Sequence, residues 1–224
     1  MFQTTKTTTT IILTSTVNVQ NKAFLYQTNA LERLDCYIIA IRQWLAKTQF
    51  NIVLVENSGY PFIELTKELN DYKDRFEIIS FIESTVAPDL NGNLSKGASE
   101  LYAIHYALRL SYILRNNTRF VIKVTSRYFI PDLEEYLKDY DLEDYDVLTQ
   151  SNPACCEMVG CHMKNVGEFF NPHPTNQYGH YEAHIEAVYK FRGEQFSKVL
   201  HCKTFPIATT VRGGFPKNEP LSFI

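Results

Sequence analysis

Residues 96–128, KGASELYAIHYALRLSYILRNNTRFVIKVTSRY, decide the fold. Leu101, Ile104, Leu108 and Ile113 recur near helical spacing, which predicts a helix over Leu101–Leu114 behind a loop at Lys96–Glu100. Phe120–Val124 is a short β-branched and aromatic run, the pattern of a buried strand, and it ends in the polar Thr125-Ser126-Arg127-Tyr128. Loop, helix and strand form one unit of an α/β sheet, in which ligands collect where the carboxyl ends of strands meet the loops.

The same unit repeats toward the N-terminus. Thr7–Val17, TTTTIILTSTV, reads as a buried first strand closing on the hydroxyls of Thr14, Ser15 and Thr16. Over Asn29–Thr48, Leu34, Tyr37, Ile38, Ile41, Trp44 and Leu45 form an amphipathic stripe, so this is a helix with Arg33 near its start. Asn51–Val55 is a second strand, Phe62–Tyr72 a short helix and Phe76–Phe81 a third strand; Glu83–Ser95, with Pro88, Gly92 and two asparagines, is expected as a surface loop. Toward the C-terminus, Pro131–Tyr140 predicts a helix, and Val147–Gln150 and Met158–Met163 predict strands. A helix entered through Tyr178–Glu182 runs to Phe191, and a last strand, Thr204–Val211, opens into a mobile cationic loop at Arg212–Gly214. The alternation predicts one α/β domain over residues 1–224 with a largely parallel sheet.

With 224 residues and 45% hydrophobic composition, the chain can bury a full core. A net charge of -3 with interspersed signs gives no basic stripe for nucleic acid. The apolar runs are strand-length and Met1–Thr10 has no apolar signal core, so a cytoplasmic protein without an integral membrane segment is expected. Five cysteines, an odd number, suit a reducing compartment. Cys155, Cys156 and Cys161-His162 lack metal-ligand spacing, and His173, His180, His184 and His201 form no zinc motif, so no metal is assigned to them. The acidic run Asp139–Asp146 reads as a solvated turn.

Four stations carry the candidate chemistry. Thr14, Ser15 and Thr16 offer hydroxyls at the end of the first strand, although threonine also simply favours strands. Glu56, Asn57 and Ser58 follow the second strand, with Gly59 allowing close backbone approach; a polar turn is the plainer reading. Lys96 and Gly97 meet a helix N-terminus, a setting that favours anions, and Glu100 complements the helix dipole or acts on a ligand. Lys123 lies within an otherwise apolar strand and Arg127 just beyond it, and cations so placed call for an anionic partner.

In this order the stations, Leu13–Thr16, Val55-Glu56-Asn57-Ser58-Gly59-Tyr60, Lys96-Gly97-Ala98-Ser99-Glu100 and Lys123–Tyr128, resemble a family of bacterial and large-virus glycosyltransferases of the GT-A type. Its members often read ENSGY, GKGYGE and K-[IL]-TGRY there. The likeness extends over roughly residues 10 to 214, through Tyr181-Glu182 and Phe205-Pro206. It implies a GT-A-like α/β fold, with a nucleotide-binding half over about residues 7–130 and an acceptor-side half over about 131–224. It further implies inverting transfer of a hexosyl or deoxyhexosyl group from a UDP-, GDP- or dTDP-sugar to a glycan hydroxyl in polysaccharide biosynthesis, in the cytoplasm of a bacterium or of a viral host. Glu182 is then the first choice for the base and Glu100 the second. Thr14, Ser15, Thr16, Arg33, Glu56, Asn57, Ser58, Lys96, Gly97, Lys123, Arg127 and Arg212 would hold the donor.

Ser95, Ala98, Ser99 and Ser126 depart from the family's glycines and tyrosine, which narrows local backbone freedom. GT-A enzymes often carry an Asp-x-Asp motif where this chain has Thr125-Ser126-Arg127. The resemblance implies Mn²⁺ or Mg²⁺ bound with the donor, through a distant carboxylate such as Asp89 or Glu100; without such a ligand, Lys123, Arg127 or Arg212 neutralises the leaving diphosphate. A nucleotidyltransferase shares the fold but is expected to carry a glycine-rich loop after its first strand, and Thr14–Val19 has no glycine. A non-catalytic nucleotide- or glycan-binding module is the remaining alternative.

Overall fold

The computed structural model describes residues 8–19, 22–23, 25–90, 92–93, 95–152, 154–214 and 220–224. Strand and helix alternate through β1 (Thr9–Ser15), α1 (Ala30–Lys47), β2 (Asn51–Glu56), α2 (Thr66–Asp71), β3 (Phe76–Ser80), α3 (Glu83–Val86), α4 (Lys96–Leu110), α5 (Tyr112–Asn116) and β4 (Phe120–Thr125). There follow α6 (Leu133–Tyr136), β5 (Val147–Thr149), β6 (Met158–His162), α7 (Val166–Phe169), α8 (Ile185–Gly193), β7 (Val199–His201), β8 (Pro206–Val211) and β9 (Pro220–Phe223).

Seven strands make one sheet in the order β3-β2-β1-β4-β6-β5-β7. Pairing is parallel except along both edges of β6, which runs against β4 and β5. This is the expected mixed α/β sheet of GT-A-like form. The central strands are apolar on both faces because both are covered. Ile11 and Leu13 of β1 pack with Leu34, Tyr37, Ile41 and Trp44 of α1. Ile12 between them faces Leu101 and Ile104 of α4 and Val188 of α8. One alternating strand thus serves two cores. Asn29 starts α1 by accepting the Leu31 and Glu32 amides, at 3.0 and 3.4 Å. Trp44 Nε1 then donates to the Tyr128 carbonyl at 2.9 Å, fixing α1 against the end of β4.

Six expectations change for local reasons. Lys96–Glu100 is the first turn of α4, not a loop before it, because the Ser95 hydroxyl accepts the Ala98 amide and caps the helix there. The helix breaks at Ser111, whose extended backbone caps α5. Glu83–Ser95 holds α3 and a 3₁₀ turn at Pro88–Leu90. Helix α8 begins only at Ile185; ahead of it Thr175 and Tyr181 form an antiparallel bridge around Gly179, whose φ is +76°. The expected Pro131–Tyr140 helix is α6 followed by a 3₁₀ turn at Leu137–Asp139. The seventh sheet position belongs to β7, and β8 instead pairs with β9 as a separate ribbon. Residues 1–7 of the N-terminal expectations lie outside the described residues.

Glu77 on β3 accepts from Ser111 Oγ at 2.6 Å and from the Tyr112 and Ile113 amides at 3.2 and 3.3 Å, so it holds the start of α5. Glu77→Ala is expected to lower stability by about 1–2 kcal/mol, the range for losing a helix cap and its bonds. Urea unfolding checks this, and an unchanged midpoint would refute the capping role.

Candidate functional site

The strand order reverses between β1 and β4: from β1 the chain steps outward to β2 and β3, then crosses to β4 on the other side. At that switch point the polar strand ends open into a cleft of about 540 Å³. β1 brings Thr14 and Ser15, the turn after β2 brings Asn57 and Ser58, and β4 with its following turn brings Lys123, Thr125 and Arg127. Helix α1 contributes Arg33 and Tyr37, α4 contributes Lys96, Gly97, Ser99 and Glu100, and α8 contributes Ile185 and Glu186. Of the residues expected from the sequence, only Glu56 and Glu182 are missing from its wall.

Glu56 is buried with both oxygens committed. Oε2 accepts from Ser15 Oγ at 2.8 Å, and Oε1 accepts the Ser58 amide at 2.8 Å, the Val17 amide at 3.3 Å and the Ser58 hydroxyl. It joins the segments after β1 and β2 and is not part of the cleft wall. Glu182 accepts the His184 amide at 2.9 Å and shapes the turn into α8. In the first turn of α8, Glu186 lines the cleft instead.

Charge accounting separates the remaining groups. Among the described residues six cations and four carboxylates line the cleft, leaving positive charge in excess. Three carboxylates are paired: Glu83 with Lys22 at 3.0 Å, Glu100 with Lys123 at 2.8 Å and Glu157 with Arg212 at 3.0 Å. Lys123 Nζ also donates to the Cys156 carbonyl at 2.8 Å, while Glu100 accepts from Tyr189 Oη at 3.3 Å and Thr14 Oγ1 at 3.4 Å. Burial, the largest influence on Lys123, lowers its pKa, but Glu100 together with Cys156 and Glu157 more than offsets it and the net direction is upward. Glu186 attracts Lys96, whose pKa falls because of burial, with Arg127 and Arg33 adding to the fall.

Arg33 and Arg127 remain. They are 4% and 7% exposed and lie 5.6 and 5.8 Å from the Tyr37 ring centroid. Neither forms an ion pair with a carboxylate among the described residues. Arg33 donates to the Thr16 carbonyl at 2.6 Å, the Gln27 carbonyl at 2.9 Å and Tyr37 Oη at 2.6 Å. Burial, with Arg127 contributing, pushes its pKa down. Arg127 donates from one nitrogen to Gln27 Oε1 and to the Val211 carbonyl at 3.3 Å, and Gly213 packs against the rest of its fork. The Arg212–Gly214 segment is tied down rather than loose: Gly213 accepts the Tyr26 amide at 3.0 Å, and a Cβ on it would sit 2.9 Å from Arg127 Cζ. Nearby, Ser126 Oγ, Glu157 Oε2 and Arg212 Nε are buried without a hydrogen-bond partner.

Several of these residues were not singled out in the sequence. Glu83 is the most connected: it accepts from Lys22, from Ser99 Oγ at 2.8 Å and from Asn57 Nδ2 at 2.8 Å. Asn57 Oδ1 in turn accepts from Thr16 Oγ1 at 2.5 Å. Its signal was its place just past the end of β3. Gly97 serves packing: a Cβ there would lie 2.6 Å from Ile185 Cβ, so α4 and α8 meet at this glycine.

A divalent ion does not fit this donor set. The end of β4 offers Thr125, Ser126 and Arg127 in place of carboxylates, Glu100 is held by Lys123, and Asp89 is exposed outside the cleft wall. Among the described residues no three His, Cys, Asp or Glu side chains converge. Burial pushes the Cys155 and Cys156 thiols up, away from the thiolate form that binds metals.

No protein-family model and no curated protein matches this chain. Among solved structures, a cytidylyltransferase from Leptospira borgpetersenii serovar Hardjo-bovis (strain JB197) aligns at TM-score 0.50 and 10% identity, over 96% of this chain and 82% of that one. A Desulfovibrio desulfuricans G20 protein assigned to the nucleotide-diphospho-sugar transferases aligns at TM-score 0.46 and 15% identity, over 88% and 80%. S. aureus TarS 1-349 aligns at 0.44 and 12%, over 88% and 59%. At such identities the likeness to the cytidylyltransferase speaks to the fold.

Lys123→Met leaves Glu100 in the wall without its cation and is expected to cost about 3–5 kcal/mol, while Lys123→Met with Glu100→Leu recovers much of the loss. Because the pKa of Lys123 is raised above 10.5, the pair's contribution is complete below that pH and fades as pH climbs through the raised value. Wild-type stability should therefore show an alkaline decline that the double variant lacks. Urea titrations at several pH values check both points, and equal stability of wild type and Lys123→Met would refute them.

Proposed function

We propose that this protein transfers a sugar from a nucleotide-diphosphate donor to an acceptor hydroxyl. The observation that carries the reading is the Arg33–Arg127 pair: two buried guanidinium groups sharing one tyrosine, neither in an ion pair with a carboxylate among the described residues, at the switch point of an α/β sheet. Buried like charges are costly unless an anion arrives, and two positive charges match a diphosphate.

The nucleoside lies along Thr14–Thr16, Asn57 and Ser58, where Glu56 and Glu83 hold the loops in place. The acceptor oxygen attacks the anomeric carbon, a new C–O bond forms, and the bond from that carbon to the diphosphate breaks. Negative charge growing on the departing phosphate oxygen is met by Arg127, Arg33 and Lys96, with Arg212 alongside. The acceptor proton passes to Glu186, which among the described carboxylates of the cleft is the one not engaged in an ion pair within bonding distance; Glu100, held by Lys123, is not suited to this. Glu182, the first choice from the sequence, instead braces the segment leading to Glu186. Because no residue set among those described fits a metal, the fixed cations carry the charge that Mn²⁺ or Mg²⁺ would carry. A glycan acceptor, an inverting course and a cytoplasmic setting belong to the same reading; all five cysteines are free, and no described helix is long and apolar enough to cross a membrane.

Nucleotidyl transfer is the second reading, favoured by the fold likeness to a cytidylyltransferase. The two differ in leaving group: a nucleoside diphosphate for sugar transfer, pyrophosphate for nucleotidyl transfer.

Thermal-shift titration with UDP-, GDP- and dTDP-sugars is expected to raise the melting temperature with at least one donor. Arg127→Ala should remove that shift and Arg127→Lys should keep part of it, since lysine retains the charge and loses the fork. Absence of any shift across the donors would sink the reading. Glu186→Gln is expected to slow transfer by about 10²–10⁴ with donor affinity within a few-fold, and transfer should persist in EDTA. Normal turnover in the glutamine variant would move the base elsewhere, and full loss on chelation with recovery in Mn²⁺ would overturn the fixed-cation account.

A further inference from the structure

At the rim of the cleft, residues 174–182 form a tight hairpin that the transfer chemistry does not use. The Asn176 amide donates to the His180 carbonyl at 2.8 Å, Asn176 Oδ1 accepts the Tyr178 and His180 amides at 2.9 and 3.2 Å, and the Glu182 amide donates to Pro174 at 2.9 Å. The loop below is pinned by buried Arg192, which donates to the carbonyls of Phe169 at 2.9 Å, Asn171 at 3.0 Å and His173 at 2.7 Å. A buried guanidinium devoted to loop carbonyls makes the hairpin a preorganised surface.

What it presents up to Tyr181 is aromatic and amide-rich, with Glu182 at its base as the one carboxylate of the segment. Tyr178 and Tyr181 are 73% and 55% exposed. The Tyr178 and His180 rings lie 6.4 Å apart. From Asn171 to Tyr181 the chain has no Asp, Glu, Lys or Arg, but three amide side chains. The hairpin is continuous with the cleft: Tyr181 Oη donates to Asn93 Oδ1 at 3.2 Å, Ser95 Oγ donates to the Ala183 carbonyl at 3.1 Å, and Asn93 and Ile185 are both cleft residues. Exposed rings beside amide and hydroxyl groups match a pyranose, whose C–H face stacks on an aromatic ring while its hydroxyls bond to amides.

We propose that this hairpin is the acceptor platform, binding sugar rings of a neutral glycan by stacking on Tyr178 and Tyr181. The proposal deepens the transferase reading and rests on it for its role in the reaction. The test is capture of the full-length protein on an array of neutral oligosaccharides, compared among wild type, Tyr178→Ala/Tyr181→Ala and Tyr178→Phe/Tyr181→Phe. Binding of nucleotide sugars by thermal shift is measured on the same samples. Wild type should be captured, the alanine variant should bind at least about tenfold more weakly, and the phenylalanine variant, which keeps both rings, should stay within about threefold. Nucleotide binding should be equal in all three. Equal capture of the alanine variant, or no capture of wild type, overturns the platform. The nucleotide arm judges the transferase reading separately: glycan capture without any nucleotide binding would keep the platform and remove the transferase.

Discussion

A positively charged pair with nowhere to discharge organises the centre of this molecule. Arg33 reaches the site from the start of α1, and its donors are held by carbonyls of the segment between β1 and α1. Arg127 arrives from the opposite side of the switch point, over the same Tyr37 ring. Around them Lys22, Lys123 and Arg212 each meet a carboxylate, Glu83, Glu100 and Glu157 in turn, so that among the described residues the two buried guanidinium groups stand out for having no such pair. Removing water from such a pair is unfavourable, so the fold stores at this point a demand for an anion.

The architecture was largely legible in the sequence because each central strand is a short apolar run and each long helix carries a clear stripe. Ile11-Ile12-Leu13 and the Leu34 to Leu45 series report their elements through hydrophobic period alone. What failed was short or locally governed. β7 is three residues long, too few to display a period. The stretch before Ile185 was absorbed into a helix because the stripe of Ile185, Val188 and Tyr189 is real, while the bridge between Thr175 and Tyr181 depends on a turn at Gly179 that periodicity does not register.

For the site, position was legible and commitment was not. Polar residues at strand ends do gather in one cleft, as the topology of a doubly wound sheet requires. Which oxygen faces inward depends on partners far along the chain. Glu56 turns down to meet Ser15 and Val17, and Glu100 turns to Lys123 from the neighbouring strand. Glu83 looked like part of a surface loop, yet it joins Lys22, Asn57 and Ser99. A carboxylate in sequence carries no mark of whether it will be a brace or a reagent.

The contacts of Arg127 also set an order of assembly. β1, β2, β3 and β4 are complete once residue 125 has been made, and they can form the parallel half of the sheet as a unit. The guanidinium of Arg127, however, is seated by Gln27 near one end of the chain and by Val211 near the other, with Gly213 against its face. During synthesis on a ribosome the cleft-facing strands are therefore made well before Arg127 can be seated, and the growing chain passes through a stage that has the scaffold of the cleft without its fixed charge.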